Sequence, residues 1–143
     1  MMAYADTSFL EGFFNPDSVH APSVQAHVQR HAPDFCFNVL LLAELRHVLR
    51  RVRNAASRQT AWQAYRATES LRTRFVHQPL TLGRLARVVE RASLADNGRS
   101  GAGTWDLAHI GLAQAAQVKI FLTCDRLQHQ AAQNAGLNSH YFG

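Results

Sequence analysis

The sequence predicts an α/β fold: a three-layer α/β/α sandwich around a four- or five-stranded, mainly parallel sheet. Short strand-like runs alternate with longer stretches of helical periodicity, the order that gives a parallel sheet covered on both faces. The strongest run, Val118-Lys119-Ile120-Phe121-Leu122-Thr123-Cys124, is dense in β-branched and aromatic residues. The 143 residues are 47% hydrophobic and only 17% charged, enough apolar side chain for one folded domain spanning 1–143 and too much for a disordered chain.

Each element follows in order. Met2-Ala3-Tyr4-Ala5 is weak by propensity and is assigned as a strand from its context. Ser8-x-x-Glu11 has the form of a capping box. Phe35-Cys36-Phe37 is a short second strand. From Val39 to Arg53, Leu41, Leu45, Val48, Leu49 and Val52 fall on one stripe of an amphipathic helix, with Arg46, Arg50 and Arg53 opposite. Ala55 to Phe75 is helical in character, with Trp62, Tyr65 and Leu71 available for burial. Pro79 marks an extended link. Leu82 to Leu94 repeats the scheme, with Leu82, Leu85, Val88 or Val89, and Ala92 inward and Arg84, Arg87 and Arg91 outward. Residues 97–103 are glycine-rich but lack the Gly-Lys-Ser/Thr of a phosphate cradle, so they read as a connector. Thr104 then caps a helix running to about Gln117, and His140-Tyr141-Phe142 is a last edge strand.

The net charge of +5 comes from arginine, since Lys119 is the only lysine. The guanidinium fork suits phosphates and carboxylates alike, so nucleic acid and an acidic protein are both candidate partners. Cys36 and Cys124 sit in apolar runs and are expected as reduced core thiols. No stretch approaches a membrane span and no basic segment leads into a long apolar one, so a cytoplasmic protein is expected.

Four acids occupy costly or conspicuous positions. Asp6 ends the first strand and Asp125 follows the strongest one. In open α/β sheets, ligands bind beyond the carboxyl ends of the strands where strand order reverses. If these strands are neighbours there, the two carboxylates meet in one cleft. Glu44, at about 100° per residue, falls inside the apolar arc between Leu40 and Leu41, where a carboxylate must be paired or bind a metal. Its structural alternative is a bridge to His47 or Arg51. Asp106 could simply complement a helix dipole, and Asp125-x-x-Gln128 could be a capping box.

Asp6-Thr7-Ser8-Phe9-Leu10, Asn38 to Glu44-Leu45, Trp105-Asp106-Leu107-Ala108-His109-Ile110, and Leu122-Thr123-Cys124-Asp125 followed by Ala131-Ala132-x-x-Ala135-Gly136-Leu137 together resemble the PIN-domain family. The nearest flavour is that of the VapC-like toxin ribonucleases of type II toxin–antitoxin systems. The resemblance covers essentially the whole chain. It implies an endoribonuclease dependent on Mg2+ or Mn2+, with Asp6, Glu44, Asp106 and Asp125 as its acids and Thr7 and Thr123 as supporting hydroxyls. Asp6, Asp106 and Asp125 would hold the metal or its water, and Glu44 would orient the attacking water. His109 sits where the family often has a histidine and is not expected to be catalytic. The resemblance also implies an RNA substrate, a VapB-like antitoxin partner and a homodimer. Arg46, Arg50 and Arg53 are candidates for the RNA backbone. The arginine richness and the featureless helical middle depart from many relatives. A non-toxin PIN nuclease of RNA processing and a catalytically inactive PIN binding module are the alternatives.

The chemistry favours this donor set. Phosphodiester hydrolysis needs an activated water and compensation for charge at phosphorus, both within reach of a hard divalent cation. Magnesium takes oxygen ligands and keeps several waters, which suits carboxylates from separate elements. His and Cys spacing for zinc is absent.

Overall fold

The computed structural model describes residues 1–70 and 75–143. Its strands are β1 (Met2–Ala5), β2 (Asp34–Phe37), β3 (Phe75–His77), β4 (Ile120–Thr123) and β5 (Ser139–Tyr141). They form one five-stranded sheet in the order β3-β2-β1-β4-β5, every pair parallel. The helices are α1 (Thr7–Phe14), α2 (Ala21–His31), α3 (Val39–Arg50), α4 (Ala55–Ser70), α5 (Leu82–Asp96), α6 (Thr104–Ala115) and α7 (Arg126–Asn134).

The strand order explains the layers. The chain steps outward from β1 to β2 to β3, then crosses back to β4 and outward again to β5. Right-handed crossovers therefore put the first connections on one face and the later ones on the other. The helices group accordingly, α1 packing on α2, α3 and α4, and α6 on α5 and α7.

Central position overrides propensity in β1. Ala3, Tyr4 and Ala5 are buried between β2 and β4, so their small or aromatic side chains fit a site covered from both faces. β4 is buried along its whole length. Cys36 and Cys124 are free, buried thiols, as expected.

Several expectations need correction. The helix expected to reach Phe75 is α4, ending at Ser70, and Phe75–His77 instead pairs with β2 as the edge strand β3. Three residues carry too little period-2 signal to betray such a strand. Leu71 lies outside the described residues. No element was expected at 21–31, where α2 forms with Pro22 in its first turn. Leu82, expected inward, is 84% exposed, because α5 turns Val88 and Ala92 to the core. Thr104 is the first residue of α6, and Gly103 occupies the cap. The Ser8-x-x-Glu11 box does not form. Asp6 caps α1 by accepting from Phe9 N at 2.9 Å, while Glu11 takes the Asn15 amide at 2.6 Å.

A convergent acidic cavity at the β1–β4 switch point

Strand order reverses between β1 and β4, which are hydrogen-bonded neighbours. Both strands end at this point, and the turns that follow deliver Asp6 and Asp125. A cavity of about 460 Å³ opens there. Its wall includes Asp6, Glu44, Asp106 and Asp125, and also Thr7, Ser8, Glu11, His20, His109 and Gln128. All four expected acids thus face one hollow, although they come from four separate segments.

Asp6 is 2% exposed and held at both oxygens. Its Oδ1 accepts from the Ser8 hydroxyl at 2.7 Å and from Phe9 N; its Oδ2 accepts from the Thr123 hydroxyl at 2.5 Å. Thr123 Oγ1 also accepts from Asp125 N at 2.9 Å, tying the β4 turn to the β1 turn. Burial pushes the Asp6 carboxyl up to about 6, against the opposing pull of the Thr123, Ser8 and Phe9 hydrogen bonds.

The other acids are positioned less deeply. Asp125 Oδ1 caps α7 by accepting from Leu127 N and Gln128 N. Only half of its expected capping box forms, because the Gln128 side chain reaches the other way and donates to Asp106 Oδ1 at 2.9 Å. Asp106 Oδ2 accepts from Gly103 N at 3.1 Å. Both terminal acids therefore do helix-end work while facing the cavity. Glu44 is half-buried and meets neither His47 nor Arg51; its Oε2 sits 2.6 Å from His109 Nε2. Burial is the largest influence on its carboxyl and raises it, but its interactions with His109 and with the Thr7 hydroxyl together outweigh this and leave it below its ordinary value.

The wall suits a hard cation in its donor chemistry. It offers carboxylate oxygens, and a further buried oxygen, Gln128 Oε1, has no hydrogen-bond partner. Among the described residues no three His, Cys, Asp or Glu side chains close around one point. The acids share a cavity without closing around one point.

The arginine face divides. Arg46 Nε donates to the Tyr65 hydroxyl at 2.8 Å, and the Arg50 guanidinium lies 5.2 Å from the centre of the Trp62 ring. Both arginines fasten α3 to α4. Arg53 instead lines a neighbouring cavity with Arg51, and that cavity shares Glu11 and Val48 with the acidic one.

The sequence model of the PIN domain matches residues 3–134. The chain belongs to the PIN-domain family.

Solved structures of similar fold include VapC20 of Mycobacterium tuberculosis, a toxin that cleaves the sarcin-ricin loop. It is 15% identical with a TM-score of 0.67, over 86% of this chain and 89% of that one. VapBC2 of Rickettsia felis, bound to a DNA fragment from its promoter, is 12% identical with a TM-score of 0.64 over the whole of both chains. FitAcB of Neisseria gonorrhoeae is 15% identical with a TM-score of 0.66 over 96% of each. At such identities the likeness speaks to the fold. No curated protein matches the chain.

Within this PIN domain, Ser8 and Gln128 line the cavity, and Tyr4, Asn38 and Gln78 form buried hydrogen bonds behind His109; the sequence did not single these residues out for the site. Ser8 was absorbed by its apparent capping box and Gln128 by another. Tyr4, Asn38 and Gln78 carry no local pattern that marks them, because their partners lie on other elements. His109 was visible, but its contact with Glu44 was not.

Proposed function

We propose that this PIN domain is an endoribonuclease dependent on Mg2+ or Mn2+, and the toxin of a type II toxin–antitoxin pair. The observation that carries the reading is the single cavity walled by Asp6, Glu44, Asp106 and Asp125, with Asp6 buried at its floor. Membership of the PIN family supports nuclease chemistry, and VapC20, VapBC2 and FitAcB as fold neighbours favour the toxin setting.

Asp6, Asp106 and Asp125 would hold the cation, and the Thr7 hydroxyl would support the cluster from beside Glu44. The bound ion would lower the pKa of a water and clamp the scissile phosphate. Thr123 and Ser8 keep the Asp6 carboxylate fixed toward the cavity. Glu44, with its Oε2 engaged by His109, would orient the attacking water. Arg53 and Arg51 meet the backbone phosphates of the RNA strand and position it without reading its sequence. The partner is a VapB-like antitoxin whose terminal segment occupies the acidic cavity, and the setting is a cytoplasmic homodimer.

Purified protein incubated with single-stranded RNA tests the nuclease: cleavage should need Mg2+ or Mn2+, stop with chelator, and vanish in Asp6→Asn. Growth arrest on expression, lost in the same variant, tests the toxin. Cleavage that persists in Asp6→Asn would reject the site.

A further inference from the structure

A chain of buried polar side chains runs from the core to Glu44, and each link fixes the next. It begins at Asn38, fully buried at the end of β2. Asn38 Oδ1 caps α3 by accepting from Leu41 N at 3.0 Å, which settles which end of the amide is oxygen. The other end, Nδ2, is a donor, and it reaches Tyr4 OH at 3.0 Å and Gln78 Oε1 at 3.3 Å. Gln78 is oriented independently, because its Nε2 donates to Leu112 O at 3.0 Å.

The Tyr4 hydroxyl therefore accepts from Asn38 and has one proton to give. It is fully buried, and the acceptor beside it is His109 Nδ1 at 2.8 Å. If Nδ1 accepts, a neutral imidazole carries its proton on Nε2. That nitrogen lies 2.6 Å from Glu44 Oε2, a carboxylate that can only accept.

The other arrangements each strand a group. A proton on Nδ1 would leave the Tyr4 hydroxyl without an acceptor and set the bare Nε2 lone pair against the Glu44 carboxylate. A doubly protonated ring would satisfy Glu44 but still strand the Tyr4 proton in a fully buried place. Buried donors without partners are rare because nothing replaces the water they lost.

We infer that Asn38 and Tyr4 lock His109 in its neutral Nε2–H tautomer, and that this lock makes His109 a positioning residue that keeps Glu44 aimed into the cavity. The tautomer stands on hydrogen-bond satisfaction alone; the positioning role rests on the proposed nuclease reading. The ring is itself 1% exposed and packs at 5.8 Å, centre to centre, on Tyr4, so it cannot readily turn away.

Two-bond proton–nitrogen NMR of histidine-labelled protein tests the lock at neutral pH, with the His109 signals identified by their absence in His109→Gln. One pyrrole-like Nε2 and one pyridine-like Nδ1 are expected. A protonated Nδ1, or two equivalent imidazolium nitrogens, would overturn it. In Tyr4→Phe the ring should lose this single state, and kcat for RNA cleavage should fall about 10- to 100-fold with KM little changed. An unchanged spectrum would overturn the lock, and a relaxed spectrum with full kcat would overturn the positioning role. Should Tyr4→Phe fail to fold, His109→Gln, which keeps an amide donor for Glu44, should retain most of the kcat that His109→Ala loses. Equal losses in the two would overturn the role. A wild-type spectrum as expected in a protein that cuts no RNA would count against the nuclease and leave the lock standing.

Discussion

Thr123 donates its hydroxyl to Asp6 Oδ2 at 2.5 Å across 117 residues of sequence. The bond joins the ends of β4 and β1, so the step that closes the middle of the sheet also places the acid at the cavity floor. Fold and site are coupled here, and removing charge from the site should change the stability of the fold.

The pH dependence of stability follows from Asp6. Its folded carboxyl titrates near 6, against 3.8 for the unfolded reference. Between those values the folded protein keeps a proton that the unfolded chain has released. The contribution is therefore full below about pH 4 and is lost as pH rises through 6, a change of about 3 kcal/mol. In chelator, the melting temperature of the wild type should fall across this window relative to Asp6→Asn. Parallel curves for the two proteins would show that Asp6 is not buried as an acid.

Divalent cations should reverse that loss. An ion at ten times its Kd adds about 1.4 kcal/mol to the native state, roughly 3–5 °C in Tm for a chain of this size. Thermal melts with millimolar Mg2+ or Mn2+ should show the gain, and Asp6→Asn should diminish it. A wild type indifferent to both ions would remove the metal from the mechanism.

Gly111→Ala tests how α6 sits on α5. An added Cβ would lie 2.3 Å from Val88 O and 2.7 Å from its carbonyl carbon, both backbone atoms that cannot step aside. Alanine would otherwise favour a helix by about 1 kcal/mol. The clash wins, and urea unfolding should show a net loss of about 2 kcal/mol or more. A stabilised variant would mean the two helices are less closely packed.

The arginines should separate by role. Arg46→Ala and Arg50→Ala should each cost about 1 kcal/mol in urea unfolding, through the lost Tyr65 hydrogen bond and the lost Trp62 stacking. Arg53→Gln should leave stability within about 0.5 kcal/mol. Measured on Asp6→Asn protein to prevent cleavage, it should weaken single-stranded RNA binding and reduce the salt slope by about 0.7. An unchanged slope would make Arg53 plain surface.

The parallel α/β sandwich was legible because β4 is a continuous run of β-branched and aromatic residues while α3 carries a clear helical period. β1 was legible only from context, and β3 was missed, because short strands take their identity from the neighbours they pair with. Among the acids, Glu44 was conspicuous by its place in an apolar arc. The roles of Ser8 and Gln128 were misread because each fits a local cap, and a local explanation conceals a distant partner.

The order of apolar and polar residues along the chain was enough to indicate the layered α/β class, the strongest strand and which carboxylates stand where strands end. Periodicity and termination are local properties, so a linear reading reaches them. The pairing of Thr123 with Asp6, of Gln128 with Asp106 and of His109 with Glu44 was decided only in three dimensions. Hydrogen bonds act over about 3 Å, and only the folded chain determines which remote side chains come that close.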